Sequence, residues 1–280
     1  SLFMALKILN AKGKKILFPG YVCSALRHAV SMANGVENTV DVEPNSPNLN
    51  MNTIKQNLPY ISIIPHMYGI PIPIEVDDTL VIEDCCQALG AKVKNKMVGL
   101  QGDVGIFSFY VTKLMTSGGQ GGMFVSKNQK YVDAVRDFRE YDFRNDSEKR
   151  FNFKMTDLQA AIGRVQLKKL PYFLKRREEI FQYYKKSGLD LLDIDDELRG
   201  ILEPVRYRAI LKTKNPRKLV NSLESVGVQS IIPTEDWELL GQREFLPNAL
   251  KFSHETISIP IYPSLTKEHL DIILSGLVIK

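Results

Sequence analysis

Apolar residues recur along this chain in two spacings. Short unbroken runs at Leu80–Ile82, Val104–Phe109 and Met123–Val125 have the length and the β-branched or aromatic content of buried strands. Lys15–Phe18 and Ile61–Pro65 read the same way, and Thr39–Val42 adds another strand. Between these runs the spacing lengthens to that of a helix. Leu2, Ala5, Leu6 and Leu9 share one face of a helix over Ser1–Asn10, and Tyr21–Ala33 reads as a helix ending at Asn34-Gly35. Met51–Asn57 reads as a short helix. Lys127–Arg144 reads as a charged amphipathic one with Val132, Val135 and Phe138 apolar. Leu158–Lys186 is one long helical region that Pro171 should kink or break. After Gly188 the pattern becomes an α+β alternation. Tyr207–Leu211, Val228–Ile232 and Glu255–Ile259 read as strands, Pro216–Val226 as a helix, and Thr266 as the cap of a last helix.

The chemistry collects around residues 81–126. Asp84 ends one apolar run, Ser108 sits in the next, and Lys113 follows it. An acid, a hydroxyl and a lysine would then meet at the carboxyl ends of neighbouring strands, where open α/β sheets bind ligands. A desolvated lysine is a candidate nucleophile toward a carbonyl. A buried Asp needs a cationic or hydrogen-bonding partner, and a protonated pyridine nitrogen would serve. Ser108 and nearby amides are candidate phosphate ligands. On spacing alone, a salt-bridged Asp84 and a solvated Lys113 is the commoner arrangement. The glycines of Gly118–Gly122 do not match a Walker A loop and read as a flexible connection.

Composition narrows the field modestly. The excess of 37 basic over 32 acidic residues is mild, and the basic run from Lys168 to Arg177 reads as a solvated helix face. No aromatic or glycine spacing of a nucleic-acid module accompanies it. No apolar run is long enough to span a bilayer and no signal peptide is visible. Three cysteines, with Cys85 and Cys86 adjacent, form no disulfide framework. Four scattered histidines without a CxxC suggest no metal site. A reducing cytoplasm fits this usage.

Three stretches taken together carry a resemblance. I-E-D-C-C-Q-A-x-G, then G-D-x-G-I-F-S-F-Y-x-x-K, then G-x-G-G-M-F resemble the DegT/DnrJ/EryC1/StrS family of pyridoxal-phosphate (PLP) aminotransferases of nucleotide-linked keto-sugars. R-F-N-F-K-M-T-D-L-Q-A-A-I-G-R-V-Q-L is similar to that family's second hallmark, and S-I-P-I-Y-P-S-L to its L-P-L-Y-P-S-L.

The resemblance implies fold type I, an α/β architecture. A large PLP-binding domain with a mostly parallel mixed sheet would occupy residues 1–170, and a smaller α+β domain residues 171–280. It implies Lys113 as the Schiff-base lysine and Asp84 as the partner of the pyridine nitrogen. Gln87 would reach the ring hydroxyl and Ser108 the phosphate. Cys86 would lie under one ring face, and Cys23 would take the slot over the other, where the family places a flat residue. Tyr21 is an alternative stacking residue or simply core. His66, in an H-x-x-G stretch, either approaches the cofactor or is a structural histidine satisfied by backbone, and it stays outside the catalytic set. Asn152 would reach the phosphate in the other subunit's site, which implies a homodimer with shared active sites. Leu114 and Gln120 depart from the family's Asn and Glu. The family's Gly-Thr or Ser-Gly-Thr phosphate turn would precede the first helix, so the resemblance implies a missing N-terminal segment. The implied reaction moves an amino group from an amino acid, glutamate by expectation, to a nucleotide-linked keto-sugar, without nucleic-acid or membrane partners. Lysine rather than histidine at position 113 favours transamination over dehydration. The departures at Cys23 and Leu114 raise a second reading, a catalytically inactive member binding PLP or a sugar nucleotide in a regulatory or assembly role.

Overall fold

The computed structural model describes residues 1–277. Its N-terminal part runs α1 (Leu2–Ile8), β1 (Lys15–Pro19), α2 (Ala25–Met32), β2 (Val36–Val40), α3 (Met51–Asn57), β3 (Ile61–Pro65) and β4 (Leu80–Asp84). The short strands β5 (Lys92–Val93) and β6 (Lys96–Met97) follow, then β7 (Val104–Ser108), β8 (Gly122–Val125) and α4 (Gln129–Phe138). The long α5 (Asp157–Lys186) leads to β9 (Leu202–Glu203), β10 (Ala209–Lys212), α6 (Pro216–Ser225), α7 (Pro247–Glu255), β11 (Thr256–Ile259) and α8 (Lys267–Leu277).

The main sheet has the order β2-β1-β3-β4-β7-β8. All its pairings are parallel except β7 with β8. The mostly parallel α/β sheet implied by the sequence is therefore observed. Strands covered on both faces need apolar residues at successive positions, which explains why Ile61 to Ile64 are all buried. The strand order reverses beside β1: the chain passes to β2 on one side, then to β3 on the other. A crevice at the carboxyl ends of the strands results. Gly105 makes part of this sheet possible, because a Cβ there would lie 2.1 Å from the Gly99 carbonyl oxygen.

One apolar cluster packs around this sheet and includes Leu6, Phe18, Tyr21, Ile82, Leu246 and Phe252. A second gathers Ile180, Phe181, Tyr184, Leu223, Ile257 and Ile273 around the β10–β11 pair. β9 pairs with β5, so the C-terminal chain is also hydrogen-bonded to the N-terminal part.

Several boundaries differ from the sequence reading. Val228–Ile232 is not a strand and makes one bridge, Ile231 to Ser258. Gly227 at φ 77° bends its start and Pro233 removes a donor at its end. Pro171 does not break α5. It lies on the exposed side, where water can satisfy the carbonyl it leaves free. β2 begins earlier than read, α2 begins four residues later, and α4 ends at Phe138. The caps hold as read. Thr156 forms a capping box with Gln159, and the Thr266 hydroxyl accepts from His269 N at 3.3 Å.

Candidate active site

A cavity of about 510 Å³ opens at the carboxyl edge of the main sheet. Asp84 enters it from the end of β4, with Cys86 and Gln87 just beyond. Ser108 enters from the end of β7, and Cys23 from the turn after β1. Lys113 arrives on the β7–β8 connection, which is fastened to itself. Lys113 N donates to Tyr110 O at 3.0 Å, Ser117 N to Phe109 O at 3.0 Å, and Ser117 Oγ to Gln120 O at 2.7 Å. Six of the seven residues singled out in the sequence thus line one cavity. Asn152 is the exception: it is exposed and lies outside this cavity in its own chain.

Each side chain has one capacity used and another left. Asp84 Oδ1 accepts from Cys86 N at 3.0 Å, and among the described residues Asp84 forms no salt bridge. Gln87 Oε1 accepts from Tyr68 N at 2.8 Å, which leaves the Nε2 hydrogens. Ser108 Oγ accepts from Tyr110 N at 3.3 Å, which leaves its hydroxyl hydrogen. Lys113 Nζ has no carboxylate partner among the described residues and sits 5.3 Å from the centroid of the Tyr207 ring. Burial pushes the Cys85 and Cys86 thiols well up, with the neighbouring Glu83 and Asp84 adding to it. Neither is therefore a ready thiolate.

Tyr21 is core. It is fully buried, accepts from the Tyr68 hydroxyl at 2.8 Å and packs against Phe252. Leu114 is buried in the large apolar cluster, which accounts for an apolar residue there. His66 is fully buried with both ring nitrogens engaged. Nδ1 accepts from Ile72 N at 3.2 Å, so Nε2 carries the hydrogen that faces Glu83 Oε2 at 3.2 Å.

Two residues around the site escaped the sequence reading. Glu83 alternates with Asp84 along β4 and is fully buried. Its carboxylate accepts from Gly99 N at 2.8 Å, Gly102 N at 3.0 Å, Gln101 N and His66. Burial alone would raise its pKa, but the bonds from His66 and the backbone amides outweigh it and hold the carboxyl below its usual value. The signal was an acid inside an apolar parallel strand, which has to be paired. Tyr207 is the other, since nothing in its local pattern links it to Lys113.

The mostly parallel sheet is that of fold type I, the fold of PLP-dependent transferases. The chain belongs to the DegT/DnrJ/EryC1/StrS aminotransferase family, whose model matches residues 1–278. It is therefore a PLP-dependent transaminase. It is 27% identical to the GDP-perosamine synthase of Escherichia coli O157:H7 over 96% of this chain and 80% of that protein. An uncharacterized protein of Methanocaldococcus jannaschii is 28% identical over 95% of this chain and 80% of its own length. A Streptococcus pneumoniae chain solved in its PMP form superposes with a TM-score of 0.88 at 18% identity, over 99% of this chain and 84% of that one.

The spare capacities of the cavity fit PLP. A carboxylate oxygen suits a protonated ring nitrogen, an amide N–H a ring hydroxyl, a serine hydroxyl a phosphate, and an unpaired amine an aldehyde.

Proposed function

We propose that this transaminase transfers an amino group from glutamate to a nucleotide-linked keto-sugar. The observation that carries the site assignment is the convergence of Cys23, Asp84, Cys86, Gln87, Ser108 and Lys113 on one cavity. The names of relatives, GDP-perosamine synthase among them, support the sugar acceptor. In this reading Lys113 holds the cofactor, Asp84 keeps its ring nitrogen protonated, Gln87 meets the ring hydroxyl and Ser108 the phosphate. Cys86 and Cys23 would pack against the cofactor. Bound there, the cofactor supplies the electron sink. Lys113 Nζ takes the proton from the donor α-carbon and returns it where the new amine forms. Proton transfer by a positioned group is typically worth ~10²–10⁴-fold. The donor leaves as its keto acid and the sugar ketone becomes an amine.

Asn152 and the surface around it extend the proposal to a homodimer. Leu158, Ile162 and Val165 share one face of α5 and are exposed, as are Phe151 and Phe153. A second copy covering this apolar face would bring Asn152 to the partner's cofactor phosphate. The division into domains at 170 and 171 is likewise a proposal, supported by the separate apolar cluster around β10 and β11. So is a cytoplasmic location. No helix among the described residues is long and apolar enough to cross a membrane.

The test is a two-stage assay. Holoenzyme is first converted with glutamate, then mixed with a panel of nucleotide-linked keto-sugars, with products read by mass spectrometry. An amine replacing the ketone in one of them is expected. Glutamate conversion without amination of any sugar would overturn the acceptor assignment.

A further inference from the structure

A second cavity, of about 730 Å³, lies in the C-terminal part between the 226–231 segment, β11 and α8. Its polar lining includes Arg177, Arg208 and Ser230, and no Asp or Glu is among its lining residues. Nearby arginines are paired: Arg176 with Glu179, Arg206 with Glu178 and Asp193. Arg177 and Arg208 have no carboxylate partner among the described residues. Arg177 donates through one terminal nitrogen to the carbonyls of Arg206 and Tyr207, both at 3.1 Å. Its Nε is buried without a partner. Ser230 is 9% exposed, and its Oγ is the other buried side-chain atom without a partner among the described residues. Arg208 donates to Ser258 Oγ at 3.0 Å.

Buried polar atoms are rarely left unpaired, because each forfeits its hydration. Here the two residues that carry such atoms line the same cavity, beside a guanidinium that lacks a carboxylate partner among the described residues. A ligand that matches this lining accepts from N–H and O–H donors and carries negative charge. Val226, Ile231 and Ile272, all partly exposed at the rim, offer an apolar wall for whatever carries that charge. The Tyr207 ring has Arg208 5.6 Å from its centroid and Lys113 Nζ 5.3 Å from it, so this cavity adjoins the transaminase site.

We propose that this cavity binds a phosphate-type oxyanion, held by Arg177 Nε, Ser230 Oγ and the Arg208 guanidinium. Charge-assisted bonds to phosphate oxygens are the strong class of hydrogen bond, and arginine suits their geometry. The phosphate has two possible sources, the diphosphate of the acceptor or a separate phosphorylated molecule.

Calorimetric titration of the holoenzyme, whose own cofactor phosphate is already bound, separates these. Inorganic pyrophosphate is the first probe and UDP or GDP the second. Pyrophosphate binding that weakens with salt is expected, and Ser230→Ala and Arg208→Gln should each weaken it about tenfold. If the nucleoside diphosphate competes with pyrophosphate and loses affinity in the same variants, the site takes the acceptor's diphosphate. If pyrophosphate alone is affected, the site takes a separate phosphorylated molecule. Either result supports the oxyanion site. Absence of pyrophosphate binding at millimolar concentration overturns it. So does unchanged affinity in both variants when their melting temperatures match the parent. The change in cofactor spectrum on adding glutamate, read in the same samples, should be the same in all three proteins. It reports on the transaminase reading independently.

Discussion

Asp193 and Arg206 are buried together and bound to each other at 2.6 Å, whereas Asp84 and Lys113 share a cavity without an ionic partner among the described residues. The first pair belongs to a satisfied network. Asp193 also accepts from Lys185 and Arg199, both at 2.9 Å, and Arg206 from its other side reaches Glu178 at 2.7 Å while lying over the Phe181 ring. The surrounding protein pairs every charge there, and the cluster ties α5 to the chain before β10. In the cavity the same kinds of groups keep spare valences. Charges whose bonds are complete hold structure; charges whose bonds are incomplete await a ligand.

The contrast breaks first at Lys113. Lys113→Ala should lower turnover by at least about 10³-fold while changing stability by no more than about 0.5 kcal/mol. Steady-state kinetics and denaturant unfolding read the two halves. Arg206→Met should do the reverse. It removes the cation on Glu178 and one of the three on Asp193, costs about 1.5–3 kcal/mol of stability and leaves turnover per folded molecule near the parent value. Retention of full stability would show that the network is ornamental.

The pH dependence sharpens the same point. Burial raises the Asp193 pKa, but Arg206, Lys185 and Arg199 outweigh it and hold it down at about 2, from the ordinary 3.8. A depressed carboxyl stabilises above its unfolded value and loses that contribution as pH falls through the folded one. About 2 kcal/mol should therefore disappear between roughly pH 4 and pH 2, and the loss should be smaller in Arg206→Met. Glu83→Gln is expected to cost about 1–2 kcal/mol, because the bonds from the Gly99, Gln101 and Gly102 amides lose their charged acceptor. Smallest is Cys23→Phe. A ring covers more of a flat ligand than a thiol, and cofactor affinity should rise about fivefold in a fluorescence titration.

What was legible in the sequence followed local pattern. β1, β3, β4 and β7 were found because buried parallel strands are apolar at successive positions. Asp84, Ser108 and Lys113 were singled out because their motifs lie at the ends of those strands, and the fold brings them to one cavity. Glu83 was not, although it adjoins Asp84, because its partners lie at His66 and at residues 99–102 and meet it only in the fold. Tyr207 was read as the start of a strand, since its approach to Lys113 depends on how the C-terminal part docks. Val228–Ile232 reads as a strand for its Val and Ile content, yet Gly227 and Pro233 confine it to one bridge beside the second cavity. Pro171 misled in the opposite direction, because its cost depends on the side of the helix it occupies.

The most direct test of the central claim is the visible absorption spectrum of the protein with bound PLP, before and after glutamate, in the parent and in Lys113→Ala. A band that glutamate bleaches in the parent, absent from the variant, is the predicted result. A parent that binds PLP with no such band, or a variant whose band and response to glutamate match the parent, would contradict the assignment of Lys113 and the site built around it.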